Sequence, residues 1–336
     1  MLARSSICVY YSDENTFRTI GNMTITIFIG TELGLYRLEK TAHSDSFTPH
    51  NIFPGKRIVD IALSPNAVFA AVAGEGVFRS ADDGESWQMI FGGSPTTVTW
   101  DAQNMWLGTA NCELYRSPDT GETWQNLTEA LHAANPVDAW YPPPFADEPL
   151  ISTIALSPIT HTVMVGIKNG GAAFSTDGGA RWSPTDEALD ETVHRLHAHP
   201  TVPAHWIAGT EAGIFFSTDN GTTWEEITEE IDLFYNIDAI ISADGRYFAA
   251  ASGTPPGNWV ENSWSTLFVK AQPENRWQPV SLPSPEYITV LAQPAETRHL
   301  IFGTQSGAIY WGENGENWKQ IGQVSGSVTA LCGNSG

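Results

Sequence analysis

The chain has 336 residues, of which 41% are hydrophobic and only 16% charged, with 30 glycines, 21 prolines and 13 tryptophans. This composition excludes a disordered chain, and its wealth of turn formers and aromatics without a long amphipathic stretch points to an all-β protein. With 38 acidic against 16 basic residues the formal net charge is −22, which repels polyanions and excludes DNA, RNA and anionic membranes as expected partners.

From the N-terminus, residues 1–22 show no basic-then-apolar signal pattern and are expected to be an extension or tail. Cys8, Cys112 and Cys332 are too few and too scattered for a disulfide framework or a zinc site. No run approaches the roughly 20 apolar residues of a membrane span. A cytoplasmic protein without cofactor or metal is expected, as a monomer.

At Met23 an alternating stretch begins, Met23-Thr24-Ile25-Thr26-Ile27-Phe28-Ile29-Gly30, which reads as a strand. It runs into Gly30-Thr31-Glu32-Leu33-Gly34, and Gly-Thr-x-x-Gly returns at Gly209–Gly213 and Gly303–Gly307, each time between two apolar strands. Upstream of this element lies a further apolar strand that often ends in proline, as in Asp60-Ile61-Ala62-Leu63-Ser64-Pro65 and Thr153-Ile154-Ala155-Leu156-Ser157-Pro158. Downstream comes Ser-x-Asp-x-Gly-x-x-Trp: Ser80-Asp82-Gly84-Trp87, Ser117-Asp119-Gly121-Trp124, Ser175-Asp177-Gly179-Trp182 and Ser217-Asp219-Gly221-Trp224. An eroded copy keeps Glu313, Gly315 and Trp318, and another keeps only Trp277. In each, the carboxylate accepts backbone N–H groups of a tight turn, glycine supplies a positive φ, and tryptophan carries the chain back to the apolar interior. Asp82, Asp119, Asp177 and Asp219 are therefore read as structural.

Each unit holds four short strands, the blade of a propeller. First strands fall near 57, 94, 151, 193, 236 and 287, and a seventh, Ser327–Cys332, stands at the C-terminus with nothing after it. The N-terminal unit lacks a first strand. The two fragments complete each other, so residues 23–336 are expected to form one seven-bladed β-propeller of four-stranded antiparallel blades, closed by pairing of the N- and C-terminal segments.

The Ser-x-Asp-x-Gly-x-x-Trp repeats resemble those of the BNR/Asp-box propellers, a group that includes sialidases, the sortilin ectodomain, xyloglucan-cleaving endoglucanases and the photosystem II assembly factor Ycf48. The resemblance covers about residues 23–333. It implies that the boxes lie on the hairpins between third and fourth strands, and that ligands bind at the opposite end of the ring. The Arg-Ile-Pro motif of sialidases finds only Arg57-Ile58-Val59 here, so classical sialidase activity is not expected.

Two insertions fall at that opposite end. Residues 130–150 carry Trp140 and Tyr141, and residues 252–265 carry Trp259 and Trp264; proline-stiffened loops with aromatics pack over their own blades or wall a binding site. Counting five residues back from the proline, or its equivalent, of each first strand gives Asp60, Thr97, Thr153, Arg195, Asp238, Thr289 and Thr329, an inward polar ring. Such residues satisfy one another or serve a ligand. In the enzyme reading, a hydrolase or lyase, Asp60 and Asp238 act as acid and base and Arg195 anchors an anionic group. Glu32, Glu75, Glu211, Lys168 and Gln305 extend the rim, with Thr153 and Thr289 beside them as candidate ligand contacts. Three functions follow: a module binding a small molecule or protein at the insertion-bearing end, an enzyme at the channel mouth, or a non-catalytic assembly scaffold.

Overall fold

A computed structural model describes residues 7–12, 24–40, 47–134, 149–233, 235–254, 264–293, 299–313 and 315–330. These residues form seven antiparallel sheets. Six are built from four strands consecutive in sequence, running from the channel outward, for example Ile58–Ser64, Ala67–Val72, Gly76–Ser80 and Gln88–Gly92. The second strands Ala67–Val72, Val163–Lys168 and Tyr247–Ser252 are buried at every residue. Their near-continuous apolar runs follow from having a neighbouring blade on both faces.

The ring closes through the sheet holding Thr24–Thr31, Gly34–Lys40 and Thr48–Pro54. Val328–Ala330 joins its inner edge, with Ala330 opposite Gly30 and Val328 opposite Thr31. The remainder of that edge is taken by Ile7–Ser12, paired from Ile7 opposite Ile29 to Ser12 opposite Thr24. Two segments from opposite ends of the chain thus lie end to end as one inner strand. The strand at Ile7–Ser12 falls within the residues expected to form an extension; its Ile-Cys-Val-Tyr-Tyr run has high strand propensity.

All seven inner strands carry a shift in register near their start. It falls between Ile58 and Asp60, Ile151 and Thr153, Val193 and Arg195, Asn236 and Asp238, and Ile288 and Val290. It recurs around Thr96 and around Thr329. The residue after the extra one always faces a residue with little or no side chain on the second strand: Asp60 faces Ala71, Thr97 Gly108, Thr153 Gly166, Arg195 Gly209, Asp238 Ala250, Val290 Gly303 and Ala330 Gly30.

The glycine in this position is where the next blade crosses. A Cβ on Gly108 would lie 2.5 Å from Ile151 Cγ2 and 2.7 Å from Ile151 Cβ. The hydrophobic core accordingly sits between blades. One cluster joins Ile207, Ile214 and Phe216 of the fifth blade to Ala239, Ile241 and Phe268 of the sixth. The turns between second and third strands are tied to the segment entering the same blade. Ala73 N–H donates to Arg57 O at 2.9 Å, Ala110 to Ser94 O at 2.9 Å, Glu211 to Thr192 O at 3.1 Å and Gln305 to Tyr287 O at 2.9 Å.

Gly108→Ala places a methyl against a β-branched side chain that cannot swing away. It is expected to cost about 1–3 kcal/mol, read as a lower midpoint in denaturant unfolding; unchanged stability would refute a close-packed crossing.

Candidate functional site

The aspartate boxes are at the end of the ring opposite the turns between second and third strands. Ser80 Oγ donates to Asp82 Oδ1 at 2.7 Å and accepts from Gly84 N–H at 2.8 Å, while Asp82 Oδ1 accepts from Ser86 N–H at 2.8 Å and Oδ2 from Ser86 Oγ at 2.6 Å. The Ser86 hydroxyl and then the Ser86 amide hold the Asp82 carboxyl down at about 2. Gly84 has φ +93°; the same set of bonds repeats around Asp119 and Asp219, and around Asp177 with Arg181 Nε donating to Oδ2 in place of a hydroxyl. Trp87, Trp182, Trp224 and Trp318 donate their indole N–H to the box glycine carbonyl. Trp124 reaches instead to Ile90 O of the preceding blade. Every box carboxylate is thus committed to its own turn.

At the channel, Asp60 and Asp238 are 2% and 1% exposed. Asp60 Oδ1 accepts the Ile61 N–H at 3.0 Å, and Oδ2 accepts both Thr97 Oγ1 and the Val98 N–H at 2.9 Å. Asp238 Oδ2 accepts the Leu291 N–H of the next blade at 3.0 Å and lies 3.7 Å from Arg195 Nε. Both carboxylates therefore bridge consecutive inner strands. Burial raises Asp60, against the opposing pull of Arg195, and burial raises Asp238 to about 6, again opposed by Arg195. His197 is pushed down to about 3 by burial and by the charge of Arg195, so it is neutral at physiological pH.

The seven polar residues do not form one level. Asp60, Thr97, Thr153, Arg195 and Asp238 share the position after the extra residue, but Thr289 and Thr329 occupy the extra position itself, and Val290 and Ala330 stand at the shared level. Three of the seven extra residues reach the following blade, while Ser152 Oγ is buried with no hydrogen-bond partner among the described residues. Thr329 Oγ1 donates to Ile58 O at 2.6 Å, Thr96 Oγ1 to Ile151 O at 2.7 Å, and His194 Nδ1 to Asn236 O at 2.7 Å, each across to the following blade. Thr289 Oγ1 instead donates to Gly303 O within its own blade.

At the rim, Glu32, Glu75 and Glu211 are exposed on their turns. Lys56 pairs with Glu75 at 2.6 Å, and Lys168 is buried, its backbone bridged to Thr192. Trp264 is 53% exposed, with its carbonyl accepting from Ser252 Oγ at 3.2 Å. Trp140, Tyr141 and Trp259 lie outside the described residues. Of the 130–150 insertion, the described opening belongs to a helix, Thr128–Ala134, which buries Leu131 against the third blade. Cys112 is buried, and burial pushes its thiol up to about 12. No group of three or more metal-ligating side chains occurs among the described residues, and no helix among them is long and apolar enough to cross a membrane.

The family described as BNR/Asp-box repeat matches residues 215–226, the box of the fifth blade. The chain is a seven-bladed β-propeller of BNR/Asp-box repeats. No curated protein matches its sequence significantly. Among solved structures, the Asp-box propeller is similar to YCF48 from Cyanidioschyzon merolae, with 14% identity, 90% of this chain and 93% of that chain covered, and a TM-score of 0.61. It is similar to YCF48 bound to D1 peptide, with 15% identity, 90% and 92% covered, and a TM-score of 0.56. An ancestral GH74 enzyme gives a TM-score of 0.60 at 17% identity, covering 79% of this chain; the chain spans only 38% of that enzyme.

Two features of the propeller escape a reading by motif. In the sixth blade Lys270 stands where other boxes have serine; its Nζ lies 4.9 Å from the Trp277 ring centroid and donates to Ile227 O at 3.4 Å. Trp277 Nε1 donates to the same carbonyl at 2.6 Å, so an ammonium-over-indole contact replaces the lost box. Arg37 and Arg116 each donate to a carbonyl of the next blade's box turn, Asp83 O and Gly178 O, both at 2.6 Å. Arg79 pairs with Glu122 at 3.0 Å in the same place. The Arg-Ser pairs before two of the boxes are the signal for this clamp.

Because the folded-state value of Asp238 lies above the ordinary 3.9, the folded protein binds the extra proton. Its contribution to stability is full below about pH 4 and is lost as pH rises through about 6. Asp238→Asn keeps an acceptor for Leu291 and removes that titration. Between pH 4 and 7 the wild type is expected to lose on the order of 2 kcal/mol relative to the variant, measured as the difference between two urea-unfolding series. Parallel pH profiles would show that Asp238 does not titrate in this range.

Proposed function

We propose that this propeller is a binding module whose insertion-bearing end receives a protein partner, with the channel carboxylates serving the ring and no reaction. One observation carries the reading. Trp264 is held half-exposed at the base of a loop anchored on both sides, through Ser252 and through the Ser265 N–H to Glu286 O. A large aromatic on a tethered backbone loses little conformational freedom on binding, which is the property of an anchor residue. The opposing enzyme reading needs Asp60 and Asp238 free to exchange protons with a substrate. Both oxygens of Asp60 instead accept N–H groups, from Ile61 and Val98, and Asp238 Oδ2 accepts that of Leu291; Asp238 Oδ1 has no hydrogen-bond partner among the described residues, and the strand-bridging bonds favour a structural role.

Support of a different kind comes from the fold. The YCF48 ring bound to D1 peptide is a precedent for a propeller of this shape that holds a polypeptide. No property of YCF48 beyond that precedent is carried to this chain.

The test is site-specific photocrosslinking in cells that express the protein. A photoreactive amino acid at position 264 is expected to give a discrete adduct. One at Met89, which is 51% exposed on an outer strand, is expected to give none. Equal adducts at both positions, or none at 264, would overturn the assignment of the binding end.

A further inference from the structure

The sector of the insertion-bearing end formed by the fifth to seventh blades combines an exposed indole with carboxylates that make no ion pair among the described residues. Trp264 precedes the third strand of the sixth blade, Ser265–Lys270. The Ser265 N–H donates to Glu286 O at 3.1 Å, placing Glu286 on the adjoining entry segment of the seventh blade. Glu286 Oε2 accepts Ser306 Oγ at 3.0 Å, which orients the carboxylate and leaves its charge in place. On the other side stands Glu211, exposed on the turn of the fifth blade. Its charge is felt by the buried Tyr235 hydroxyl of the sixth blade, which is raised by burial first, then by Tyr287 and Glu211. Among the described residues neither Glu211 nor Glu286 makes an ion pair, whereas Glu75, on the far side of the ring, is paired with Lys56. The whole molecule adds a net charge of −22, so the field at this end draws cations and repels anions.

We propose that the partner element received here is an extended basic segment of a protein, whose arginine or lysine side chain lies against the Trp264 indole between Glu211 and Glu286. This rests on the reading that the insertion-bearing end is the binding end, and names the chemistry of its occupant. An indole face attracts a guanidinium or ammonium through its quadrupole, and flanking carboxylates supply the opposite charge and the hydrogen-bond acceptors. Charge complementarity selects a basic segment over an acidic or purely apolar one. Neutral apolar segments would leave both carboxylates desolvated without a partner, which costs binding energy. Polyphosphate chains and nucleic acids carry the wrong sign.

The experiment uses the full chain and three probes: a capped heptapeptide alternating Arg and Gly, its Glu-for-Arg counterpart, and spermidine. Binding is followed by fluorescence anisotropy for labelled peptides and by competition for spermidine, at two salt concentrations. The Arg peptide is expected to bind and to weaken as salt is raised. Trp264→Ala, and separately the pair Glu211→Gln with Glu286→Gln, are each expected to weaken it about tenfold. Glu225→Gln with Glu226→Gln, on the exposed outer strand of the fifth blade, should leave it unchanged. The proposal is overturned if the Glu peptide binds equally, if the outer-strand pair matters as much as the rim pair, if spermidine competes as strongly as the peptide, or if the Arg peptide does not bind. A partner crosslinked at position 264 together with no binding of the Arg peptide would leave the binding end standing and reject its basic occupant. Native circular dichroism and melting curves for each variant separate a lost contact from a lost fold.

Discussion

At four seams of this ring the inner strand passes over the second strand of the blade before it at a distance that admits no side chain. Ile58 over Gly30, Ile151 over Gly108, Val193 over Gly166 and Val328 over Gly303 are the same crossing at four seams. The register shift follows from it. An extra residue lets the inner strand bend around the channel while keeping its apolar side chains in the seams on either side. Burial within a blade is small; burial between blades forms the core, so no blade is stable apart from its neighbours.

Bending exposes backbone groups that a flat sheet would pair, and buried donors and acceptors left unpaired are costly. At several seams the side chains at and after the extra residue meet that need. Thr96, Thr329 and His194 donate to carbonyls of the next blade, while Asp60 and Asp238 accept its amides. Hydroxyl, imidazole and carboxylate thus do one job at different seams. The choice between them is set by whether the neighbouring group needs a donor or an acceptor. Arg195 beside Asp238 offsets part of the cost of a buried charge.

Much of the fold was legible in the sequence because the box turn is local. Serine, aspartate, glycine and tryptophan at fixed spacing encode their own hydrogen bonds, and four intact copies gave the blade count its anchor. The level of the channel residues was not legible in the same way. The proline used as a landmark lies beyond the end of the inner strand, and the distance to it varies. From Asp60 to Pro65 it is five residues, but from Val290 to Pro294 only four. The glycine or alanine across the second strand is the truer landmark, since steric contact fixes it. Lys270 was hidden because it shares no chemistry with the serine it replaces. The strand at Ile7–Ser12 is not legible in the sequence because it pairs with only part of an edge whose remainder is taken by Val328–Ala330, and pairing of half an edge leaves no mark in periodicity.

The shared inner strand of the closing blade has a consequence for connectivity. Ala330 faces Gly30 and Ile7 faces Ile29, so the segments Val328–Ala330 and Ile7–Ser12 meet at adjacent rungs of one ladder and run the same way along it. A backbone running from Ala330 straight into Ile7 would keep every strand pair of this sheet. The sevenfold architecture therefore has no privileged starting point. Any of the segments that lead from one blade into the next is an equivalent place to open the circle.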